Sequence, residues 1–184
     1  MWKRFKFSLR FFLEDVRGGL SVEAALAFPM LVWTYGALYV YWDAFKAQNN
    51  NVKATFTIGD MLSRETAAID QDYLNGLNKL FRYMTLTNHD TKLRVSVVSR
   101  KLEADGVTEY NNLEWTHSTN GLATPNNADD IKKLIPVLAV GDQVIIVETL
   151  MAYEPIFSIG LEAQIYGNSV ATRPRFVPQV LWSD

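Results

Sequence analysis

The sequence predicts an α+β protein in which a long N-terminal transmembrane helix precedes a domain of helices packed on an antiparallel sheet. The first observation is an uncharged apolar run of 19 residues at 24–42. The second is the spacing of apolar residues over 70–84, which follows the three-and-four repeat of one buried helix face. The third is a series of short apolar segments from residue 92 onward, separated by turn residues, which is typical of antiparallel strands.

The charge of the chain is unevenly distributed. Residues 1–18 contain five basic and two acidic side chains, whereas the whole chain of 184 residues has a formal net charge of −2. A basic segment before an apolar run is typical of a leader on the cytoplasmic side of a membrane, and the acidic remainder argues against nucleic acid as a partner. Cysteine is absent from the sequence, which excludes disulfides, thiol catalysis and cysteine-based zinc sites.

The apolar run from Ala24 to Trp42 is long enough to cross a bilayer core, which needs about 20 helical residues. Because basic flanks stay in the cytoplasm, we expect 1–18 to be a basic cytoplasmic leader, 19–45 a transmembrane helix and 46–184 an extracytoplasmic α+β domain. Aromatic residues concentrate in the second half of the run, as they do where a helix leaves lipid: Trp33, Tyr35, Tyr39, Tyr41 and Trp42.

Two alternatives fit this apolar run less well. A buried helix of a soluble protein usually has polar residues within such a run and lacks a basic leader. A secretory signal peptide places its small-residue cleavage site after the apolar region, but the best such site, Ala25–Ala27, precedes most of the run. We therefore expect the run to be a membrane helix of the mature protein.

Three helices are predicted in order along the chain. Apolar residues continue beyond the membrane run, so the first helix extends from about Leu20 into the sixties, with bends or breaks at the weak helix formers Asn49–Asn51 and Gly59. Asp70 can cap the second helix, and Asn127 can cap a short third one. The buried face of the second helix has six members: Tyr73, Leu74, Leu77, Leu80, Phe81 and Met84.

Four strands are predicted, in the segments Lys92–Ala104, Val107–His117, Val144–Tyr153 and Ser169–Arg175. Asp105-Gly106 is typical of a two-residue hairpin turn between the first two strands. Leu113 and Trp115 are expected on one face of the second strand because side chains alternate between faces. The third strand is expected to be central because it is apolar on both faces, and the fourth to lie at an edge because prolines accompany it.

Linear motifs of catalysis and ligand binding do not occur in the sequence. The two histidines, His89 and His117, lack metal-ligand spacing, and there is neither a nucleophile elbow nor a glycine-rich phosphate loop. We therefore predict no catalytic residue, no metal site and no cofactor. An enzyme whose site is assembled by folding from distant residues is the third-ranked hypothesis.

Arg173 and Arg175 flank Pro174 near the end of the chain. They are candidates for contact with an acidic partner or a lipid headgroup. The alternative is that they form the solvated end of an edge strand. Glu148 and Glu154, on or beside the third strand, are their candidate partners within the chain.

The boundary between the leader and the apolar run resembles a prepilin signal sequence. Such signals are cut on the cytoplasmic side after a glycine, and glutamate follows at the fifth position of the mature chain. A cut between Gly18 and Gly19 makes Glu23 that fifth residue. By this resemblance Glu23 neutralises the freed α-amino group during assembly. Pro29 then falls inside the mature helix, which it bends without ending the span.

A longer resemblance covers almost the full chain. The stretch DVRGGLSVEAALAFPMLVWTYGALYVYWDAF resembles the N-terminal signature of TadE-like proteins, the minor pilins or pseudopilins of the Tad (tight adherence, Flp-type) pilus. Three later blocks are similar to the same family and follow in the same order: NVKATFTIGDMLSRET at 51–66, VETLMAYEPIF at 147–157 and VATRPRFVPQV at 170–180.

The resemblance implies a non-catalytic component of type IVc pilus assembly with a pilin-like periplasmic domain. It implies a single pass through the inner membrane, with the N-terminus in the cytoplasm, or incorporation into the pilus. The implied partners are the inner membrane, other pilin or minor pilin subunits, platform proteins of the Tad secretion system and a prepilin peptidase. The alternative is an uncleaved single-pass envelope protein whose periplasmic domain binds a ligand or a partner protein.

Overall fold

The computed structural model describes residues 19–183, and within this range the chain forms two α-helices, a 3₁₀ helix and four β-strands. The predicted α+β class, with a long N-terminal helix and a four-stranded antiparallel sheet, is confirmed. The predicted leader, 1–18, and with it Gly18, lies outside the described residues. The elements follow in the order α1 (Gly19–Arg64), α2 (Gln71–Thr85), β1 (Thr91–Leu102), β2 (Glu109–Ser118), the 3₁₀ helix (Ala128–Leu134), β3 (Gln143–Tyr153) and β4 (Gln164–Thr172).

The four strands form one antiparallel sheet in the order β2-β1-β3-β4. Strands β1 and β3 are central, and they pair from Thr91 opposite Met151 to Ser99 opposite Gln143. The start of β1 and the β3–β4 loop therefore lie at one end of the sheet, and the β1–β2 loop lies at the other end. The prediction that β3 is central and largely buried is confirmed.

Helices α1 and α2 cover one face of the sheet and form the larger core with it. Only the second half of α1 takes part, because its buried residues begin at Val40. Fully burying one Leu, Ile, Val or Phe side chain stabilises a fold by about 1.5–3 kcal/mol, so this packing holds the helix to the sheet. The core includes Ala54, Ile58, Leu62, Leu74, Leu77, Phe81, Leu93, Val95, Val97, Ile145, Val147 and Met151.

The opposite face of the sheet carries a smaller core beneath the 3₁₀ helix. Asn127 caps this helix as predicted, because its side-chain oxygen accepts the N–H of Asp130 at 3.1 Å while the Asp130 carboxylate accepts the N–H of Asn127. The buried members of this core are Val98, Ala128, Ile131, Leu138, Val144 and Ile146.

Both ends of α2 are capped by hydrogen bonds between residues close in the sequence. Asp70 caps its N-terminus as predicted, and the Asp70 carboxylate accepts the N–H of Tyr73 at 2.7 Å. Helix α2 ends at Thr85. The next residue, Leu86, caps the helix with a φ of 55°, in the left-handed region that few non-glycine residues adopt. His89 follows in the loop between α2 and β1.

The C-terminal residues return to the start of α2. The N–H of Ile69 donates to the carbonyl of Leu181 at 2.9 Å, and the indole of Trp115 donates to the carbonyl of Val180 at 2.9 Å. The ring of His117 stacks on Trp182 with centroids 3.5 Å apart. His117 therefore belongs to an aromatic contact that fixes the end of the chain.

Helix α1 runs without interruption through the segment where the sequence predicts bends or breaks, so the prediction of a break at these residues is wrong. Asn51 is buried, and its side-chain amide donates to the carbonyl of Tyr166 at 3.0 Å. Gly59 is also buried and lies against β4, where an added Cβ would come within 3.4 Å of Val170. Contacts with the sheet thus outweigh the weak helix propensity of both residues.

The prediction that Leu113 and Trp115 share one face of β2 is wrong. Trp115 lies opposite Val97 and packs on the larger core, whereas Leu113 lies opposite Val98 and packs on the smaller one. A β-bulge between these pairs inserts Glu114, which reverses the alternation of faces. The Glu114 carboxylate is held at the bulge by Lys101 at 2.7 Å and by the Ser99 hydroxyl.

The connection between β1 and β2 is longer than the predicted two-residue turn. The N–H of Glu103 donates to the carbonyl of Thr108 at 2.8 Å, which closes a wider loop. Within it the Asp105 carboxylate accepts the N–H groups of Val107 and Thr108, and Gly106 takes a φ of 69°. Asp105 and Gly106 therefore do turn the chain, but two residues on each side of them also belong to the loop, which covers 103–108.

Strand β4 begins at Gln164, earlier than the predicted Ser169, and ends at Thr172. It pairs with β3 from Ile145 to Tyr153, so the edge position predicted for it is confirmed. Arg173 and Arg175 follow the strand instead of belonging to it.

Candidate functional site

The first half of α1, residues 19–39, extends from the domain with its apolar side chains exposed. We call this part of the helix the exposed rod. Between Gly19 and Tyr39 no residue is buried, and Val40 is the first that is, at 1% exposure. Large apolar side chains on this part are mostly open, for example Leu26 at 74% and Leu38 at 64%. Among the helices of residues 19–183, α1 alone is long and apolar enough to cross a membrane.

Two of the predicted processing and assembly residues, Gly19 and Glu23, lie at the N-terminal end of the described part of α1. Gly19 is the first residue of α1, and Glu23 lies one turn further on, exposed. Residues four apart lie on the same side of a helix, so the Glu23 carboxylate is on the side of the Gly19 nitrogen.

Pro29 lies inside α1 and does not end it. Proline has no N–H, so the carbonyl of Ala25 lacks the usual helical donor at this point. The Thr34 hydroxyl, one of the polar groups in the apolar run, donates to the carbonyl of Met30 at 2.8 Å. The helix therefore continues past Pro29, and the Thr34 hydroxyl has its hydrogen-bond partner within the helix.

The β3–β4 loop lies against the apolar half of α1. Phe157 and Ile159 border a shallow apolar hollow together with a stretch of the helix. Gly36 permits this approach, because a Cβ there would lie 3.2 Å from Cδ1 of Ile159. The helix residues of the hollow are Phe28, Pro29, Val32, Trp33 and Gly36.

The junction between the exposed and packed halves of α1 is held by two tyrosines. The Tyr153 hydroxyl donates to the Asp43 carboxylate at 3.1 Å, and the Tyr41 hydroxyl donates to the carbonyl of Gly160 at 3.3 Å. Burial and the hydrogen bond to Asp43 raise the pKa of Tyr153 to about 12. The exposed rod is thus tied to the end of β3 and to the loop that follows it.

A buried polar cluster fixes the position of α1 on the sheet two turns further along. The hydroxyls of Thr55 and Thr149 are 2.7 Å apart, and the Thr149 hydroxyl donates to the Asn51 side chain at 3.1 Å. All three side chains are buried. Buried polar groups that satisfy one another specify a single arrangement, because sliding the helix would leave each without a partner.

A polar groove opens at the same end of the domain as the exposed rod. Its charged and titratable lining comes from α1, from the end of β3 and from the two loops nearest the rod: Asp43, Lys46, His89, Tyr153 and Glu154. His89 lies 3.8 Å from Glu154. Within residues 19–183 no group of three or more acidic or histidine side chains is placed to hold a metal ion.

Arg173 and Arg175 lie at the far end of α1 from the rod. Arg173 pairs with Asp142 at 3.0 Å, and Arg175 pairs with Asp60 of α1 at 3.3 Å. The Arg175 N–H also donates to the carbonyl of Ser63 at 2.8 Å. The two arginines therefore attach the segment after β4 to the end of α1 and to the loop before β3.

The predicted pairing of these arginines with Glu148 and Glu154 is wrong. Glu148 lies directly across the sheet from Arg94 and pairs with it at 2.6 Å. Glu154 lies at the other end of β3, beside His89. Glu148 pairs with Arg94 because the register of β1 and β3 places the two residues opposite each other. This register could not be predicted from the sequence.

Three groups that position the rod were not among the sequence candidates: Asp43, the polar cluster and the β3–β4 loop. The signal for the loop is visible, since residues 155–161 are uncharged and lie between two glutamates. Comparison with protein-family models, curated proteins and solved structures finds no match to this chain.

Proposed function

We propose that this chain is a non-catalytic, TadE-like minor pilin or pseudopilin that takes part in assembly of the Tad pilus. The observation that carries the proposal is the division of α1 into an exposed apolar half and a half packed on an antiparallel sheet. The first half anchors the protein in the inner membrane by a single pass, with the N-terminus in the cytoplasm. The second half belongs to a pilin-like periplasmic domain.

The length of α1 supports this assignment. A helix that only anchored a domain would need no continuation beyond the bilayer, yet α1 continues without interruption along the sheet to Arg64. The tyrosine contacts and the buried polar cluster make the rod and the domain one rigid unit. A force or an orientation imposed on the helix in a filament or a platform is therefore passed to the domain.

The residues at the N-terminal end of α1 support processing by a prepilin peptidase. Cleavage between Gly18 and Gly19 creates a positive α-amino group at the first residue of α1. Glu23, one turn away and exposed, offers that group a carboxylate on the same or a neighbouring subunit. A carboxylate near lipid is costly unless it is paired, so this pairing favours assembly over the isolated state.

Small residues on the rod support contact with other pilin or minor pilin subunits. Backbones of membrane helices approach closely where glycine and alanine face a neighbour. Besides Gly19 and Gly36, the latter of which lies against Ile159, the rod has four such residues: Ala24, Ala25, Ala27 and Ala37. Platform proteins of the Tad system are the partners proposed for the periplasmic domain.

The assembly role is tested by replacing Glu23 in the native host. Glu23→Ala should be inserted in the membrane in normal amounts but should be lost from purified pilus complexes, because the released amino group has no carboxylate partner. Ser21→Ala, an exposed change in the same turn, is the matched control and should assemble normally. Normal recovery of Glu23→Ala in the complexes would contradict the assembly role given to this carboxylate.

The second candidate is an uncleaved single-pass envelope protein whose periplasmic domain binds a ligand or a partner protein. The polar groove beside the rod favours it, since Lys46 and Glu154 offer charges of both signs there. The two candidates differ at the N-terminus: the second keeps residues 1–18 and does not need Glu23. Retention of the leader together with pili that form normally without the protein would favour the second candidate.

A further inference from the structure

We propose that the β3–β4 loop, residues 155–161, inserts its apolar side chains into the outer leaflet of the membrane beside α1. The loop would then be a second, shallow contact with lipid that fixes the tilt of the domain. This inference rests on the proposed anchoring through the first half of α1. The loop would contact the lipid acyl chains close to the headgroups.

The level of the loop along α1 is the first argument. Ile159 lies against Gly36, which is about 9 Å along the helix axis from Trp42 at 1.5 Å per residue. The loop therefore reaches a part of the helix that lies within the apolar run. If that run occupies the bilayer, the tip of the loop cannot remain entirely in water.

The chemistry of the loop is the second argument. Residues 155–161 read PIFSIGL and carry no charge, while Glu154 and Glu162 stand at the two ends. Ile156 is 63% exposed and Phe157 is 53% exposed, although both are large and apolar. Exposed apolar side chains on one loop mark an interaction surface, and here that surface is continuous with the apolar helix.

The backbone of the loop is suited to shallow depth. Irregular backbone is tolerated near lipid only where its polar groups are satisfied. The N–H of Ile159 donates to the carbonyl of Phe157 at 2.9 Å, and the carbonyl of Gly160 accepts the Tyr41 hydroxyl. Gly160 has a φ of 71°, which glycine adopts readily and which brings the loop against Tyr41.

The surrounding surface agrees with this orientation. Leu86, the left-handed residue at the end of α2, is 71% exposed and borders the same groove as Ile156. The charged residues nearest the loop are mostly acidic: Glu154 and Glu162 flank it, and Asp43 and Lys46 line the adjoining groove. Attraction to anionic headgroups is therefore not expected to drive insertion. We therefore expect insertion to depend on apolar burial and to occur in purely zwitterionic lipid.

The test uses single cysteines in the full chain, which has no native cysteine. Ser158→Cys reports on the loop, Leu31→Cys reports on the rod, and Val107→Cys is the control. Val107 is 81% exposed in the β1–β2 loop, at the opposite end of the sheet. Each variant carries an environment-sensitive fluorophore and is reconstituted into phosphatidylcholine vesicles, with lipids that bear a spin-label quencher at a shallow or a deep acyl position.

The expected result is a blue-shifted emission at residue 158, with stronger quenching by the shallow label than by the deep one. Residue 31 should be quenched by the deep label, and residue 107 by neither. The pair of changes Ile156→Asn and Phe157→Asn should remove quenching at 158 while leaving residue 31 unchanged.

The outcomes separate the two proposals. Quenching at residue 31 without quenching at 158 overturns the loop inference and leaves the anchoring intact. Absence of quenching at residue 31 contradicts the anchoring itself. A blue shift at 158 without lipid quenching, together with disulfide formation between two copies in a separate unlabelled sample of Ser158→Cys, would show a protein neighbour in place of lipid and would overturn the inference.

Discussion

At the residue scale, Tyr153 joins the end of β3 to α1 at the point where the exposed rod meets the domain. It is 6% exposed, and its hydroxyl reaches Asp43 on α1. Its pKa is raised to about 12 by burial and by Asp43, and the pKa of Tyr73 is raised to about 12 by burial and by Glu65. Both tyrosines must therefore give up a hydrogen bond to a carboxylate when they ionise.

The replacement Tyr153→Phe should lower the free energy of unfolding by about 1 kcal/mol, the usual size of one hydrogen bond. The folded pKa lies above the ordinary value of 10.0, so the contribution is complete below pH 10 and is lost as the pH rises through about 12. Denaturant unfolding of the full chain in detergent, repeated from neutral pH to pH 12, measures both effects.

Exposed Tyr83→Phe is the control for this change and should leave the stability at neutral pH unaltered. Tyr153→Phe should also lose less stability above pH 10 than the unchanged protein does. Equal alkaline losses in the two proteins would show that the Tyr153 contact with Asp43 does not form.

At the scale of elements, the buried polar cluster determines how α1 lies on β3. Thr55 and Thr149 are both fully buried, and each hydroxyl has the other as a partner. Removing one hydroxyl leaves the other partly unsatisfied, whereas removing both leaves only the Asn51 side-chain oxygen without these two donors. The two changes should therefore not be additive.

A double-mutant cycle with Thr55→Val and Thr149→Val should give a coupling energy of about 0.5–3 kcal/mol in the free energy of unfolding. The control cycle pairs Thr149→Val with Thr57→Val, because the exposed Thr57 hydroxyl bonds within α1 to the carbonyl of Lys53. That control should give additive effects. Additivity in both cycles would mean that the cluster does not hold the helix to the sheet.

Elements with a strong local pattern were predictable from the sequence, and details that depend on contacts between elements were not. The period of α2 and the cap at Asp70 are local, as is the apolar character of β3. The continuity of α1 through Asn51 depends on the carbonyl of Tyr166, which is distant in the sequence. The bulge at Glu114 and the partners of Arg173 likewise depend on strand register and on loops.

The candidate site was predictable to a similar degree. The position of Pro29 on a helix follows from its place in the apolar run, and those of Gly19 and Glu23 from their place just before the run; the structure has all three on α1. The contact of the β3–β4 loop with that helix could not be read from the sequence, because it brings Ile159 beside Gly36 across most of the chain length.

At the scale of the whole molecule, one helix serves two environments. Its first half is exposed and apolar, its second half packs along the sheet, and the contacts of Asp43 and Asn51 hold that second half to β3. This arrangement suits a subunit that waits in a membrane and is later packed against its neighbours through the same helix. The proposed contact of the β3–β4 loop with lipid would set the tilt of the domain while it waits.

The central claim, that the chain is a pilin-like subunit matured at the leader, is tested most directly at its N-terminus. The native protein is extracted from membranes, and its N-terminal sequence and intact mass are determined. Our account predicts a mature chain that begins at Gly19, and a chain that keeps the leader when Gly18 is replaced by leucine. A native chain that begins at Met1, in cells with an active prepilin peptidase, would contradict it.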